Sequence, residues 1–236
     1  MKLDFSGERV LAVVAHPDDA ELLCAGTLAR AIAEGGEAAV CVMCRGDKGQ
    51  PTTAIDNLAA QRRREMTSAA KLLGATLYQG KVSDSTLTDN PTTRRKLTEF
   101  MRRFRATLVL AHWKEDYHPD HRAAGRLADA ATWLAASRGQ RTRGAPLKRP
   151  PALWWMDTID MLNFEPTLSI DISSHLQLKH RMLACHASQL ARSEDADFAP
   201  LEQLLERQAT VRGAQAGVAA AEAFRPHFAF GRSRAW

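Results

Sequence analysis

Residues 9–44 read RVLAVVAHPDDAELLCAGTLARAIAEGGEAAVCVMC and contain the pattern that decides the fold. The short apolar runs at 9–15 and 38–44 are typical of strands that are buried on both faces. Between them, apolar residues at helical spacing predict a helix that ends at Gly35 and Gly36. A strand, a helix and a second strand at this spacing predict a βαβ unit with two parallel strands.

The alternation of strands and helices continues along the chain. Further helices are predicted near 57–73, 91–104, 121–136, 173–190 and 197–223. Further strands are predicted near 75–79, 106–112, 152–157 and 167–172. We therefore expect an α/β fold in one domain over 1–236, built on a Rossmann-like, doubly wound and mostly parallel sheet with helices on both faces.

The composition is that of an ordinary folded protein, with 45% hydrophobic and 25% charged residues. No apolar run approaches the roughly 20 residues of a membrane span, and the first residues lack a signal-peptide pattern, so we expect a cytoplasmic protein. The four cysteines, including the Cys41 and Cys44 pair, are expected to be buried thiols. Because the Lys and Arg behind the net charge of +5 are scattered, solvated helix faces are favoured over a nucleic-acid site.

Two clusters of histidine and aspartate follow predicted strands. AHPDDAE covers residues 15–21, and HWKEDYHPDH covers residues 112–121. Ligands of open α/β sheets bind at the carboxyl ends of the parallel strands, so both clusters are expected at one edge of the sheet. Together they offer three metal ligands and leave one coordination position open, which is typical of a catalytic zinc site. The sequence therefore predicts a metal-dependent enzyme.

The same clusters carry a family resemblance. AHPDDAE followed by HPDH resembles the signature of the LmbE/PIG-L family of metal-dependent de-N-acetylases, which remove acetyl groups from N-acetylglucosaminyl compounds. The stretches 61–75, 171–189 and 212–224 are also similar to family segments. The loop CRGDKG at 44–49 departs from the family's Thr-x-Gly-Glu-x-Gly, and this departure bears on the choice of substrate more than on the chemistry.

The resemblance implies roles for individual residues. It assigns His16, Asp19 and His121 as the ligands of one Zn²⁺ per chain, although Fe²⁺, Mn²⁺ or Co²⁺ would also suit these donors. It assigns Asp18 as the general base and a protonated His118 to the acyl oxygen. The implied reaction is hydrolysis of an N-acetyl group on a small amino-sugar derivative. The leaving amine would take its proton from Asp18, with His118 as the second candidate.

The family pattern places further residues on the substrate side. Arg62 is expected to grip an anionic or hydroxyl-bearing group, Asp84 to meet sugar hydroxyls or form an Asx turn, and His186 to lie near the pocket or to pack between helices. The loop 45–56 and a mobile segment at 137–151 are expected to form the aglycone side. They would be joined there by the C-terminal aromatic residues Phe224, Phe228, Phe230 and Trp236, which are expected to dock on the body of the protein.

Two further carboxylates, Asp116 and Glu21, could support the site without contacting the metal. Asp116 either orients His118 or is a solvated loop acid. Glu21 either accepts a hydrogen bond from a metal ligand or caps the first helix, where the helix dipole favours a carboxylate.

Two other functions stay open. A non-catalytic Rossmann-like module that binds a sugar or nucleotide is disfavoured, because HPDD stands where a glycine-rich phosphate loop would be. A metal-dependent phosphoesterase of the two-metal type would need more than three ligands. The expected partner is a small N-acetylated amino sugar, and assembly into a homo-oligomer is left open.

Overall fold

A seven-stranded sheet runs through the centre of the molecule, which a computed structural model describes for residues 3–193, 195 and 198–232. The strands are β1 (Arg9–Val14), β2 (Glu37–Cys44), β3 (Thr76–Val82), β4 (Leu108–Ala111), β5 (Ala152–Met156), β6 (Leu168–Asp171) and β7 (Ala221–Pro226). Their order in space is β3-β2-β1-β4-β5-β7-β6. The first five pair in parallel, whereas β7 runs antiparallel to both β5 and β6. The expected mostly parallel α/β sheet is confirmed.

Helices cover both faces of this sheet. They are α1 (Asp19–Leu23), α2 (Ala25–Ala33), α3 (Leu58–Leu73), α4 (Pro91–Phe104), α5 (Pro119–Ala136), α6 (Leu176–Leu183), α7 (Ala187–Leu190) and α8 (Leu201–Ala216). Successive residues of β1 alternate between the faces, so Val10 packs in one apolar cluster and Leu11 in the other. The α4 and α5 helices cover the Leu11 face, and the others cover the Val10 face. None of the described helices is long and apolar enough to cross a membrane.

The helix predicted after the HPDD turn is broken at Cys24. Glu222 of β7 accepts hydrogen bonds from the backbone amides of residues 26 and 27, at 2.9 and 2.7 Å, and so caps the start of α2. Lys179 of α6 donates to the carbonyl of Leu22 at 2.9 Å and to Glu222 at 2.6 Å. Helix ends have unpaired backbone groups. Here the ion pair of Lys179 and Glu222 provides hydrogen-bond partners for a carbonyl at the end of α1 and for amides at the start of α2.

The helix predicted over 197–223 is wrong in its last part. α8 ends at Ala216, and Gly217 follows in the left-handed region with φ of 72°. The next apolar residues form β7, which lies between β5 and β6. A short apolar run fits a buried strand as well as a helix, and pairing with two strands decides between them.

Among the described C-terminal aromatic residues, Phe224 docks as expected, whereas Phe228 and Phe230 do not. Phe224 is buried in β7, but the side chains of Phe228 and Phe230 are 77% and 90% exposed. The chain leaves the sheet after β7, so these two rings face solvent. Trp236 lies outside the described residues.

The segment 137–151 contains no helix or strand, in agreement with its composition. The buried guanidinium of Arg102 in α4 donates to the carbonyls of Ser137 and Gln140, at 2.7 and 3.1 Å. The side chain of Leu147 is buried in the apolar cluster under α4 and α5. These contacts attach the segment to the body, and its mobility stays a prediction.

All four cysteines are free thiols. Cys24, Cys41 and Cys44 are buried, as expected, and Cys185 is half-buried. Burial raises the pKa of the Cys24 thiol well above its usual range, which favours the uncharged form.

Candidate metal centre and active site

The two histidine clusters meet at the carboxyl edge of the sheet. β1 and β4 are neighbouring parallel strands, and each is followed by a turn that carries one of the clusters. The ring centroids of His16 and His121 lie 5.4 Å apart. The sheet thus brings together side chains that are distant in the sequence.

The Asp19 carboxylate lies next to both His16 and His121. The Asp19 carboxylate lies 3.6 Å from Nδ1 of His16 through one oxygen and 3.4 Å from Nε2 of His121 through the other. Ring nitrogens of His16, His118 and His121 lie within 4.8 Å of one another, and so do donor atoms of Asp19, His112 and His121. Zinc binds such nitrogen and oxygen donors at about 2.0–2.2 Å, usually in a tetrahedral arrangement. Two imidazoles and a carboxylate at these separations fit that ion.

Each of the two imidazoles also faces a carboxylate through its other ring nitrogen. Oδ2 of Asp120 lies 3.1 Å from Nε2 of His16, and Oδ1 of Asp116 lies 3.0 Å from Nδ1 of His121. An N–H donated to such a carboxylate fixes the ring and directs the opposite nitrogen to the metal, as in metal-binding histidines. This pairing is an independent sign that the residues fit a metal.

The surrounding carboxylates also set the electrostatics of the imidazoles. Burial alone would lower the pKa of His16, but Asp120 and Asp19 raise it to about 10. Burial likewise opposes protonation of His121, whereas Asp19 and Asp116 raise its pKa to about 9. A negative environment that favours a proton on each ring also favours a divalent cation in place of those protons.

Asp116 orients a different histidine from the one expected. Its Oδ1 faces the ring of His121 and accepts a hydrogen bond from the backbone amide of His118 at 2.9 Å. The contact with His118 therefore involves the main chain and not the ring. The side chain of Asp116 thus orients His121.

His118 caps α5 through its ring. Nδ1 of His118 accepts a hydrogen bond from the backbone amide of Asp120 at 3.1 Å. Because that amide can only donate, Nδ1 has no proton, and the neutral ring carries its proton on Nε2. Burial, together with His121 and His16, lowers the pKa of His118. The expectation of a protonated His118 is therefore corrected to a neutral imidazole with an Nε2–H donor.

Asp18 lies beside the proposed ligands in a conformation unusual for a residue other than glycine, with φ of 100°. Its Oδ2 accepts a hydrogen bond from Nη2 of Arg62 at 2.8 Å. Burial raises the pKa of the Asp18 carboxyl above its usual value, and Arg62 limits that rise. A carboxylate with a raised pKa is a better proton acceptor than a solvent-exposed one.

Arg62 lines the cavity and also holds the turn before α1, so its contact with substrate stays a prediction. Its guanidinium donates to Asp18 and to the carbonyl of Pro17, and the residue is only 3% exposed. The loop above it needs a glycine, because Gly46 has φ of +72° and a Cβ there would lie 2.7 Å from Cδ of Arg62. Arg62 therefore stabilises the turn that carries Asp18.

Asp84 organises the loop that follows β2. Its two carboxylate oxygens accept hydrogen bonds from the backbone amides of Gly46 and Lys48, at 2.9 and 3.0 Å. The sequence led us to expect either an Asx turn or a contact with sugar hydroxyls, and these hydrogen bonds to a neighbouring loop are a different role. Asp84 also lines the cavity above the metal centre, so contact with a sugar hydroxyl stays a prediction.

His186 and Glu21 form a buried pair beneath the site. Both are fully buried, and Nε2 of His186 lies 3.4 Å from Oε2 of Glu21. Burial alone would lower the pKa of His186, but Glu21 raises it above its usual value. His186 is not among the residues that line the cavity, contrary to the expectation of a substrate contact. Glu21 lies in the first turn of α1, where it faces His186 instead of a metal ligand.

The short helix α7 joins two parts of the site. Ser188 donates from its backbone amide and its hydroxyl to Glu65 of α3, at 2.9 and 2.6 Å. Gln189 donates to the carbonyl of Gly49 in the loop after β2, at 3.0 Å. α7 therefore fixes both the helix that carries Arg62 and the loop above it.

Two residues of the second cluster received no role from the sequence. One is Asp120, the partner of His16. The other is His112, whose ring stacks on that of His121 at a centroid distance of 3.9 Å and an interplanar angle of 16°. Nε2 of His112 lies 3.1 Å from Asp19 and accepts the backbone amide of Ala15. Every metal-binding imidazole needs an outer partner, and that requirement would have singled out Asp120 within HPDH.

A cavity of about 410 Å³ opens above these groups. Its lining includes His16, Asp18, Asp19, Leu22, Lys48, Gly49, Arg62, Asp84, Ser85, Tyr117, His118, His121, Ile159, Gln189, Arg192, Phe198, Ala199, Leu201 and Leu204. The loop 45–56 contributes to this wall as expected. The segment 137–151 and the described C-terminal aromatic residues do not, and the lining includes Gln189, Arg192 and residues of the range 198–204 instead.

The family described as "PIG-L: GlcNAc-PI de-N-acetylase" matches residues 11–132, which include both histidine clusters. This chain belongs to the PIG-L family. The family resemblance drawn from the sequence is thereby confirmed.

Relatives of the PIG-L chain include named deacetylases. A 1D-myo-inositol 2-acetamido-2-deoxy-alpha-D-glucopyranoside deacetylase of Rhodococcus erythropolis is 24% identical, with 82% of this chain and 85% of the relative covered. The crystal structure of a conserved Thermus thermophilus protein is 33% identical, with coverage of 97% and 100% and a TM-score of 0.78. The N,N'-diacetylchitobiose deacetylase of Pyrococcus horikoshii is 25% identical, with coverage of 92% and 83% and a TM-score of 0.78.

One relative has a different kind of name. A 4-oxalmesaconate hydratase of Pseudomonas putida is 28% identical over 144 residues, which cover 60% of this chain and 55% of the hydratase. Similarity within the PIG-L family therefore does not by itself fix the reaction.

Proposed function

We propose that the protein is a zinc-dependent hydrolase that removes the N-acetyl group from a small amino-sugar derivative. The observation that carries this proposal is the double pairing of imidazole and carboxylate, in which Asp120 and Asp116 turn His16 and His121 towards Asp19. Asp18 lies next to this group and takes no part in the proposed ligand set. The family match and the two deacetylases among the relatives support the substrate class.

The side chains have complementary tasks in this reaction. A zinc ion held by His16, Asp19 and His121 would lower the pKa of a bound water and polarise the acyl oxygen. Asp18 accepts the proton that the attacking water loses, and Arg62 holds its carboxylate in place. The Nε2–H of His118 donates to the oxyanion that develops on the acyl group. Asp18 then passes its proton to the departing nitrogen, and the products are acetate and a free amine.

The donor set is compatible with more than one cation. Two imidazoles and one carboxylate also suit Fe²⁺, Mn²⁺ and Co²⁺. We propose one zinc ion per chain, because three converging ligands match the usual composition of a catalytic zinc site. A two-metal phosphoesterase would need further ligands.

Hydration is the second candidate reaction, because one relative is named as a hydratase. Both reactions use an activated water, and they differ in the product. Hydrolysis of an acetamide releases acetate, whereas hydration of a double bond releases nothing.

The test is an acetate-release assay on protein loaded with one equivalent of zinc. The panel contains N,N'-diacetylchitobiose, an inositol N-acetylglucosaminide and simple alkyl and aryl N-acetylglucosaminides. We expect acetate and free amine in equal amounts from at least one compound. The Asp18→Asn variant should keep its zinc and lose about 10²- to 10⁴-fold in turnover. Absence of acetate from the whole panel would contradict the proposal, and conversion of an unsaturated acid without acetate would favour hydration.

A further inference from the structure

The cavity above the metal centre has two walls of different chemistry. The proposed metal ligands follow β1 and β4, in the middle of the sheet, with β2 and β3 on one side and β5 on the other. On the β2 and β3 side the cavity is lined by the polar group Lys48, Gly49, Asp84 and Ser85. The cavity is also lined by the apolar group Ile159, Phe198, Leu201 and Leu204, and by the polar residues Tyr117 and Gln189.

The apolar wall is open to an incoming ligand. Ile159 follows β5, and Phe198, Leu201 and Leu204 surround the start of α8. Ile159, Phe198 and Leu204 are only half-buried, so part of each side chain is available for contact. Leu22 of α1 extends the same lining towards the metal centre.

The cation nearest to this wall is already engaged. Arg192 pairs with Asp195, with Nε of the arginine 3.1 Å from the carboxylate. Its guanidinium also lies over the ring of Phe198, 4.0 Å from the centroid. Arg192 therefore extends the aromatic surface by stacking. Lys48 is exposed and lies on the polar wall.

From this division we infer that the group attached to the amino sugar, the aglycone, is apolar, such as an aryl or alkyl group. The inference rests on the proposed deacetylase function, which fixes the acetamide at the metal centre. The sugar hydroxyls need hydrogen-bond partners, and the polar wall offers the Asp84 carboxylate and the Ser85 hydroxyl. The aglycone then lies against the apolar wall. An anionic or polyol aglycone would lose water there without gaining hydrogen bonds.

The test measures binding instead of turnover, on full-length Asp18→Asn protein loaded with zinc. Calorimetry compares the methyl, phenyl and carboxymethyl N-acetylglucosaminides. We expect the phenyl glycoside to bind at least about tenfold more tightly than the methyl glycoside, and the carboxymethyl glycoside to bind no more tightly than the methyl one. Equal affinity for methyl and phenyl glycosides, or a preference for the carboxymethyl glycoside, overturns the inference. The Asp18→Asn variant binds substrate without hydrolysing it. Tighter binding of the phenyl glycoside therefore supports the inference even if wild-type protein releases no acetate. Absence of acetate release contradicts only the proposed reaction.

Substitutions locate the preference on the wall. Phe198→Ser in the same background should remove most of the tenfold preference for the phenyl over the methyl glycoside. Leu204→Ser is the second variant, in case the first does not fold. Phe230→Ala is the matched control, because this exposed phenylalanine lies outside the cavity lining. An unchanged phenyl preference in a folded, zinc-loaded Phe198→Ser protein contradicts the assignment.

Discussion

Oδ2 of Asp120 lies 3.1 Å from Nε2 of His16, although 104 positions separate the two residues in the sequence. Asp120 also accepts the backbone amides of Ser85 and Leu87, at 2.6 and 3.2 Å. One carboxylate thus connects the turn after β1, the start of α5 and the loop after β3. The position of His16 depends on all three segments.

Replacement of Asp120 should weaken metal binding. In Asp120→Asn the partner of His16 becomes neutral, and we expect zinc affinity to fall by about 10- to 100-fold. Competition with a chromophoric chelator measures this change. Glu115→Gln is the control, because that carboxylate lies in the same loop and is exposed. Equal zinc affinity in Asp120→Asn and wild-type protein would show that Asp120 does not support the site.

Zinc binding should release protons in a pH-dependent manner. The pKa values of His16 and His121 are raised to about 10 and about 9, so both rings are protonated at pH 7 in the metal-free protein. Zinc replaces one proton on each ring, and we expect about two protons per ion at pH 7. The number of protons released per zinc ion should decline as the pH rises through 9 to 10. Zinc affinity should fall as the pH is lowered. Calorimetry in buffers of different ionisation enthalpy counts the protons, and a value near zero at pH 7 would refute the charge assignment.

Arg62 should control the pH at which the general base works. The guanidinium opposes the rise in the pKa of Asp18 that burial causes, so Arg62→Met should raise this pKa further. The base acts when it is unprotonated, and activity is lost as the pH falls through its pKa. We therefore expect the acidic limb of kcat/KM to move to higher pH in Arg62→Met. Arg63→Met is the matched control, because Arg63 is exposed on the same helix. If the acidic limb of kcat/KM lies at the same pH in Arg62→Met as in wild-type protein, Arg62 does not control the pKa of Asp18.

The buried pair of Lys179 and Glu222 should matter for stability. Lys179→Met removes the cation and leaves the Glu222 carboxylate buried, which should lower the free energy of unfolding by about 3–5 kcal/mol. The neighbouring pair of His180 and Glu206 is partly exposed, so Glu206→Gln should cost less than about 1 kcal/mol. Urea denaturation compares the two. Similar losses of unfolding free energy in Lys179→Met and Glu206→Gln would show that burial does not determine how much an ion pair contributes to stability.

The parts of the fold that depend on local patterns are predictable from the sequence. The apolar runs and glycines of 9–44 indicate β1 and β2 without tertiary information. The break at Cys24 depends on Lys179 and Glu222, more than 150 positions away, and no local signal marks it. β7 was missed for a related reason, since its apolar run becomes a strand only by pairing between β5 and β6.

The site shows the same division. The motifs indicate which side chains carry the chemistry, because HPDD and HPDH each concentrate donors in one turn. They do not give side-chain directions, which is why His186 was expected near the pocket and the pairing of Arg62 with Asp18 was not foreseen. His186 lies outside the cavity lining and faces Glu21, whereas Arg62 lines the cavity and also pairs with Asp18. The apolar wall could not be foreseen, because it depends on where α8 lies relative to β5.

The Glu222 carboxylate that caps α2 also sets the order of events during synthesis. The turn with His16 and the following helices leave the ribosome early, yet the amides at the start of α2 gain their buried acceptor only when residue 222 has emerged. A nascent chain that is shorter has neither this cap nor the strand that carries it. Completion of the α2 cap is thus coupled to the addition of β7 to the sheet, and α2 gains its buried acceptor later than its own segment is synthesised.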